Sequence, residues 1–310
     1  MTISVNRNRF LITLLCIIFS SLPTTVHSQD LEPGFMSALP IGANIAVVST
    51  GTSRGNILLD KTIPIEGLEA KIFNLGVGYL RSFKLFNRLA KIDAVLPYAN
   101  ADFNALVEGE PQSANRNGLG DPMVRFSMIL LGVKPLKAQE FFKQEQKKFK
   151  LGVSFRVKAP LGQYDPEKLI NIGGNRWALK TGFGAQYTIK KKLVFEAQLN
   201  GIFFQANDDF FGGNTSKQEP ILEGQFHTTY IFKPGIWLAA SFGSVKGGET
   251  KVNGEVRSDQ NNERYGLTFA YRIKKQHSLK AAYTNGLITR SGADFDTYLI
   301  GYQFLWFDKK

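Results

Sequence analysis

Thiol and imidazole chemistry is nearly missing from this chain. Its 310 residues hold one cysteine, Cys16, and three histidines. Cys16 lies in an N-terminal apolar run that reads as a leader. The mature chain therefore has no disulfide, no thiol nucleophile and no thiolate metal site. No later stretch reaches 18 consecutive apolar residues, so no transmembrane helix is available. Glycine-rich phosphate loops, His-Glu-x-x-His pairs and Cys/His clusters are absent too. Past the leader only His227 and His277 remain. His277 falls in a predicted turn, and no serine accompanies His227 at the spacing of a barrel lipase. A structural histidine facing a lumen is the reading for His227, with no enzymatic activity and no cofactor expected.

The leader has the layout of a secretory signal. Arg7 and Arg9 precede the apolar run Phe10 to Phe19, and Val26-His27-Ser28 offers a cleavage site before Gln29. Leu14 and Leu15 ahead of Cys16 argue against a lipoprotein box. The expected organisation is a signal peptide over 1–28, a short periplasmic or lumenal segment over 29–40 and one β domain over 41–310. An uncleaved anchor is the alternative, but the run is about half the ~20 residues a spanning helix needs.

What the chain does have is alternation. From 149 to 159, Phe149, Leu151, Val153, Phe155, Val157 and Ala159 interleave with Lys150, Gly152, Ser154, Arg156 and Lys158. Period two puts each set on its own face of a strand. The same grammar recurs at Phe73–Tyr79, Trp177–Ile189 and Tyr265–Ile273. At the C-terminus Tyr298, Ile300, Tyr302, Phe304 and Trp306 share one face, which suits hydrocarbon and the headgroup boundary. That terminal strand resembles the closing strand and assembly signal of bacterial outer-membrane barrels, so barrel-assembly machinery is an expected partner alongside outer-membrane lipid. One departure is the charged tail Asp308-Lys309-Lys310. A mean hydropathy of −0.13 fits a barrel, whose membrane signal averaging erases. A secreted sandwich also alternates, but its strands are usually ~5–6 residues, against the longer runs here.

Twelve strands are expected, near 41–51, 70–82, 89–106, 119–132, 149–161, 176–189, 193–206, 221–233, 236–247, 263–274, 278–290 and 296–307. An even number returns both termini to the periplasmic side. The fold class is thus all-β: a single antiparallel up-and-down transmembrane barrel. Lys190-Lys191-Lys192, Lys233-Pro234-Gly235 and Lys274–His277 read as tight periplasmic turns. Long surface loops are expected at 52–69, 107–118, 162–175, 207–220 and 248–262. The segment 133–148 reads as a short basic helix around Phe141 and Phe142, either a cap on the barrel floor or a partner-binding element.

Removing Arg7 and Arg9 from the formal +12 leaves +10. Much of that excess sits in the short turns. Nucleic acid is not an expected partner, because the aromatics occupy the lipid-type face rather than interleaving with the charges. Arg125, Arg156, Lys158, Lys180, Glu196, Glu223, His227, Arg272 and Lys280 are expected to line the lumen. They read either as a network that rigidifies a narrow barrel or as a basic constriction for anionic or polarisable solutes. Asp165, Asp208 and Asp209 are candidate surface-loop residues. The last two read as loop caps or cation ligands, and no metal site is assigned.

Several loop motifs carry a resemblance. Gly118-Leu119-Gly120-Asp121-Pro122, Ala159 to Pro166, Asn171 to Trp177, Asn207 to Gly213 and Asp294 to Thr297 follow in order along the chain. Together they resemble the bacterial family labelled putative MetA-pathway of phenol degradation. The resemblance implies a Gram-negative outer-membrane transporter that admits small aromatic or hydrophobic compounds, and it supplies no catalytic residues. Twelve strands fall between packed eight-stranded barrels and open 16- to 18-stranded porins, so a narrow solute path is expected. Passive uptake of small molecules is the expected function. The rivals are a surface-interaction barrel with a packed lumen, and a lipid-modifying barrel enzyme dependent on His227.

Overall fold

The computed structural model describes residues 31–59, 65–145 and 147–308. The expected leader, its cleavage site and Lys309-Lys310 lie outside the described residues.

In chain order the elements are β1 (Ala43–Leu58), β2 (Ile65–Leu85), β3 (Arg88–Val107), β4 (Glu110–Leu119), β5 (Met123–Leu131), α1 (Ala138–Phe141), β6 (Phe149–Lys158), β7 (Ala178–Ile189) and β8 (Leu193–Phe204). There follow β9 (Asn207–Phe210), β10 (Asn214–Gln218), β11 (Ile221–Lys233), β12 (Ile236–Val252), β13 (Glu255–Arg272), β14 (His277–Ile288) and β15 (Gly292–Phe307). All pairs between these strands are antiparallel. β1 pairs with β15, and β11 pairs with both β8 and β12, so the sheet closes on itself. β4 and β5 both pair with β3 and form one broken stave. The β9–β10 hairpin leans on the outer tip of β12. The wall is therefore a closed barrel of twelve staves: β1–β3, β5–β8 and β11–β15.

The strand count holds, but three expected loops do not. Residues 52–58 and 65–69, 107–118 and 248–262 largely continue the ladders of β1–β2, β3–β4 and β12–β13. Their Gly, Asn and Asp content hid the strands, because above the bilayer both faces meet water and the apolar alternation ceases. The expected loop 207–220 likewise contains the β9–β10 hairpin. Only 162–175 stays irregular throughout.

The faces are assigned as the alternation demands. Phe73, Leu75, Val77 and Tyr79 are exposed on the outside, as are Phe155, Val157, Phe183, Tyr298 and Ile300. Their neighbours Asn74, Ser154, Arg156 and Thr297 are buried inside. Tyr265, Tyr283 and Tyr298 form one ring cluster, with Tyr283 donating to Asp296 at 2.7 Å. Tyr302 and the Phe304–Trp306 pair lie lower on β15. The nine residues of tilted strand from Tyr298 to Trp306, eight steps apart, span roughly 20 Å, near the ~25 Å apolar band of such barrels. Outward polar residues Arg54, Lys71 and Asp102 begin above that cluster. Among the described residues no helix is long and apolar enough to cross a membrane.

The periplasmic end is floored. α1 lies within the expected 133–148 segment, and its Phe141, with Phe142, is buried against Phe35, Met36, Leu89, Ile129 and Val133. Phe142 also meets Phe307 edge to face. The capping reading of this segment is the one the packing supports.

Candidate functional site

The lumen is filled from below by residues 31–42. This segment enters at the periplasmic end, where the Ile41 amide donates to Leu136 O at 2.9 Å and Ser82 Oγ donates to Pro40 O at 2.5 Å. It then rises between the walls with Glu32, Phe35, Met36 and Leu39 buried. Glu32 is 4% exposed and takes Arg125 on one carboxylate oxygen and Arg156 on the other. Glu196 accepts the Phe35 and Met36 amides at 3.0 and 3.1 Å. Lys91 donates to Phe35 O at 2.8 Å and to Ser37 O at 3.3 Å. Gln225 accepts the Glu32 amide, and Gln198 donates to Glu32 O. A short irregular segment buries many backbone polar groups, and the wall's charges satisfy them.

The wall carries a further network. Arg125 holds Asp93 at 2.9 Å, Lys180 holds Glu223 at 2.6 Å, and Asn200 and Gln225 donate to Glu223. Among the described residues the buried wall cations Lys91, Arg125, Lys150, Arg156, Arg264 and Lys280 outnumber the buried wall acids Asp93, Asp121, Glu196 and Glu223. Glu32 of the plug partly offsets that excess.

Seven of the nine lumen candidates read from sequence lie in this belt: Arg125, Arg156, Lys180, Glu196, Glu223, His227 and Lys280. Lys158 sits higher, 3.6 Å from Asp121. Arg272 ends β13 at the periplasmic rim, against Gly235 of a turn. His227 shares a 2.8 Å hydrogen bond with its cross-strand neighbour Ser241. That pair faces the lumen, away from the acyl chains a lipid-modifying enzyme must reach. Asp208 and Asp209 are exposed, and the Asp209 amide is capped by Asn207. Among the described residues no group of three or more His, Cys, Asp or Glu stands ready to hold a metal.

Above the belt the lumen face turns apolar. Leu68, Ala70, Ile72, Ala99, Ala101, Phe103 and Phe295 form a buried wall, on which Ile170 and Ile172 of the loop 162–174 pack. The two ends of that loop are held by one carboxylate. Asp121 accepts the Gly162 amide at 3.0 Å and the Gly174 amide at 2.8 Å. The Gln163 amide donates to Leu119 O, and the Gly173 amide to Gln163 O. A Cβ at Gly162 would lie 2.7 Å from the Asp121 amide nitrogen, and one at Gly173 2.8 Å from the Gly162 carbonyl carbon. Only glycine permits this approach. Asp165 stays at the surface of the loop, where its hydrogen bond with Lys168 at 2.6 Å holds its carboxyl below the ordinary carboxylate range. Asp121, Glu32, Lys91 and Asp93 were not among the candidates from sequence. Asp121 stood in a quoted motif, and Lys91 and Asp93 alternate with Ile92 and Ala94 as the other lumen charges do.

The loop is thus a lid on a clasp, and this is testable. Two charge-assisted hydrogen bonds contribute about 1.5–3 kcal/mol each. Asp121→Ala is expected to raise the rate at which a thiol reagent modifies Ile172→Cys by at least ~10-fold. A chain beginning at Gln29 holds no cysteine, which gives that measurement a clean background. Equal rates with and without Asp121 would show that the clasp does not hold the lid.

Over residues 59–298 the sequence matches a family model described as Putative MetA-pathway of phenol degradation. The fold is similar to the crystal structure of the COG4313 outer membrane channel from Pseudomonas putida F1, with a TM-score of 0.76 and 19% identity, covering 89% of this chain and all of that one. It is more distantly similar to the beta domain of the Bordetella autotransporter BrkA, with a TM-score of 0.49, 11% identity and coverages of 86% and 100%. The KdgM porin gives 0.45 and 10%, with coverages of 84% and 98%. No curated protein matches the sequence.

Proposed function

The chain belongs to the family described as Putative MetA-pathway of phenol degradation, and from that premise we propose that it is an outer-membrane channel for small apolar, preferably aromatic, solutes that rests closed. The observation that carries this reading is what fills the lumen. A barrel packed for rigidity fills itself with wall side chains that meet across it. Here the wall is recessed by glycine instead. A Cβ at Gly152 would lie 2.9 Å from Met36, one at Gly184 3.1 Å from the Phe35 ring, and one at Gly266 3.1 Å from Leu31. The space belongs to residues 31–42 rather than to wall side chains, so their withdrawal leaves a path.

The apolar wall beneath the lid supports an apolar solute, and the family's description supports an aromatic one. Movement is diffusion down a gradient, since no energy-coupling motif occurs in the chain. The outward aromatic band takes outer-membrane lipid, the strand ending Tyr302–Trp306 is the assembly signal, and export proceeds by cleavage before Gln29.

The test is single-channel conductance of the refolded chain from Gln29 in planar bilayers, with and without millimolar phenol. Brief openings that phenol partly blocks are expected. A folded barrel that stays silent, and through which proteoliposomes take up no phenol, would overturn the reading in favour of a surface-interaction barrel.

A further inference from the structure

We propose that the N-terminal segment is an internal surrogate for the solute, and that the seat it occupies is a binding site for an aryl carboxylate. The proposal rests on the channel reading above and names the substrate class. Two side chains of the segment converge on one wall residue. Glu32 gives its carboxylate to Arg125 and Arg156. The Phe35 ring lies 5.8 Å from the Arg125 guanidinium and 5.7 Å from Lys91 Nζ. Arg125 thus binds an anion through its guanidinium nitrogens and lies over the face of an aromatic ring, two contacts for which guanidinium is suited. The wall is shaped for both. A Cβ at Gly184 would lie 3.1 Å from the Cδ1 and Cε1 edge of the Phe35 ring, so the glycine gives that ring its room.

Charge points the same way. Lys280 is buried within electrostatic reach of Glu32. When the segment withdraws, Glu32 leaves a cationic seat in a confined space. An anion must replace it or the seat must rehydrate. A molecule carrying a ring and a carboxylate replaces both contacts at once. A neutral phenol replaces one, and an aryl amine is repelled.

The experiment uses the full chain from Gln29. Glu32→Ala with Phe35→Ala empties the seat without shortening the protein. Calorimetry is expected to show benzoate or 3-phenylpropanoate binding this variant at least ~10-fold more tightly than the native chain, where Glu32 competes. Benzamide and benzylamine are expected to bind at least ~10-fold more weakly than benzoate, and Arg156→Gln in the same variant to abolish the difference. Equal binding of benzoate and benzamide, or of benzoate to variant and native chains, overturns the site.

A second measurement works on the native seat. Benzoate, and not benzamide, should speed thiol modification of Ser37→Cys by displacing the segment; no acceleration counts against the proposal. Phenol flux measured in parallel separates the two readings. Flux without carboxylate selectivity removes the surrogate and leaves the channel. Selective benzoate binding without any flux removes the channel and leaves the site.

Discussion

Deleting residues 31–39 is expected to turn a barrel with rare openings into one that conducts steadily, raising the open fraction by roughly 10²-fold. The size follows from how finely the segment is balanced. Burial of Phe35, Met36 and Leu39 contributes about 6 kcal/mol. Hydrogen bonds accepted by Glu196 and Gln225 and donated by Lys91 and Gln198 contribute about 6 more. The ion pairs of Glu32 add a net of about 1–3 kcal/mol after desolvation. Against these stands the ordering of the segment's backbone, about 1–2 kcal/mol per residue, or roughly 9–18 in all. The difference lies within a few kcal/mol of zero. Such a segment is docked most of the time and leaves often enough to matter. Deletion makes the undocked state permanent, and the glycine-recessed wall does not close the gap. The check is the conductance histogram of the deleted and intact chains in the same bilayer. The floor beneath, where Phe141 and Phe142 lose Phe35 and Met36, will loosen too, which adds to the conductance. A deleted barrel that folds and stays as quiet as the intact one would show that the lid and floor close the path without help from the segment.

The membrane part of the fold was legible because the bilayer imposes period two on every stave it touches. Phe73–Tyr79 and Phe149–Val157 announce their faces with no other information. Above the bilayer that constraint lapses. Asn115 and Asn117 of β4 carry the ladder into water and read as loop, although Asn115 donates to Asn100 and Asp102 across on β3 and Asn117 donates to Asn115 along its own strand. The lumen charges were legible as a face but not as a site. Arg125, Arg156 and Lys180 alternate correctly, yet nothing local says that Arg125 and Arg156 meet a glutamate 93 and 124 positions away. Glu32 itself sits in a segment with no periodicity, where only the length of chain ahead of β1 hinted that it tucks inside. The clasp was hidden differently. Gly162, Gly173 and Asp121 looked like turn residues, and their real constraint is a close approach between segments remote in sequence.

Arg125→Ala is expected to undock the segment almost as fully as deleting it, while leaving the barrel assembled. Arg125 is the one wall residue bound to Glu32, to Asp93 and to the face of Phe35. Truncating one partner of a buried charge pair costs about 3–5 kcal/mol, because the remaining charge is left in a low dielectric. That exceeds the margin by which the segment docks. The molecule can shed the cost in one way: Glu32 withdraws and water reaches Asp93. The penalty therefore falls on docking rather than on the wall, whose antiparallel ladder through β3, β5 and β6 is untouched. The expected result is a native barrel by heat-modifiable electrophoretic mobility, with conductance near that of the deleted chain. Arg125→Lys should fall between, since an ammonium can pair with one carboxylate but lacks the fork that bridges Glu32 and Asp93. Combining Arg125→Ala with Glu32→Ala should recover part of the resting closure, because no unpaired glutamate then drives the segment out. If Arg125→Ala stays closed, the segment is held by the apolar packing of Phe35 and Met36 on the floor rather than by the charges above it.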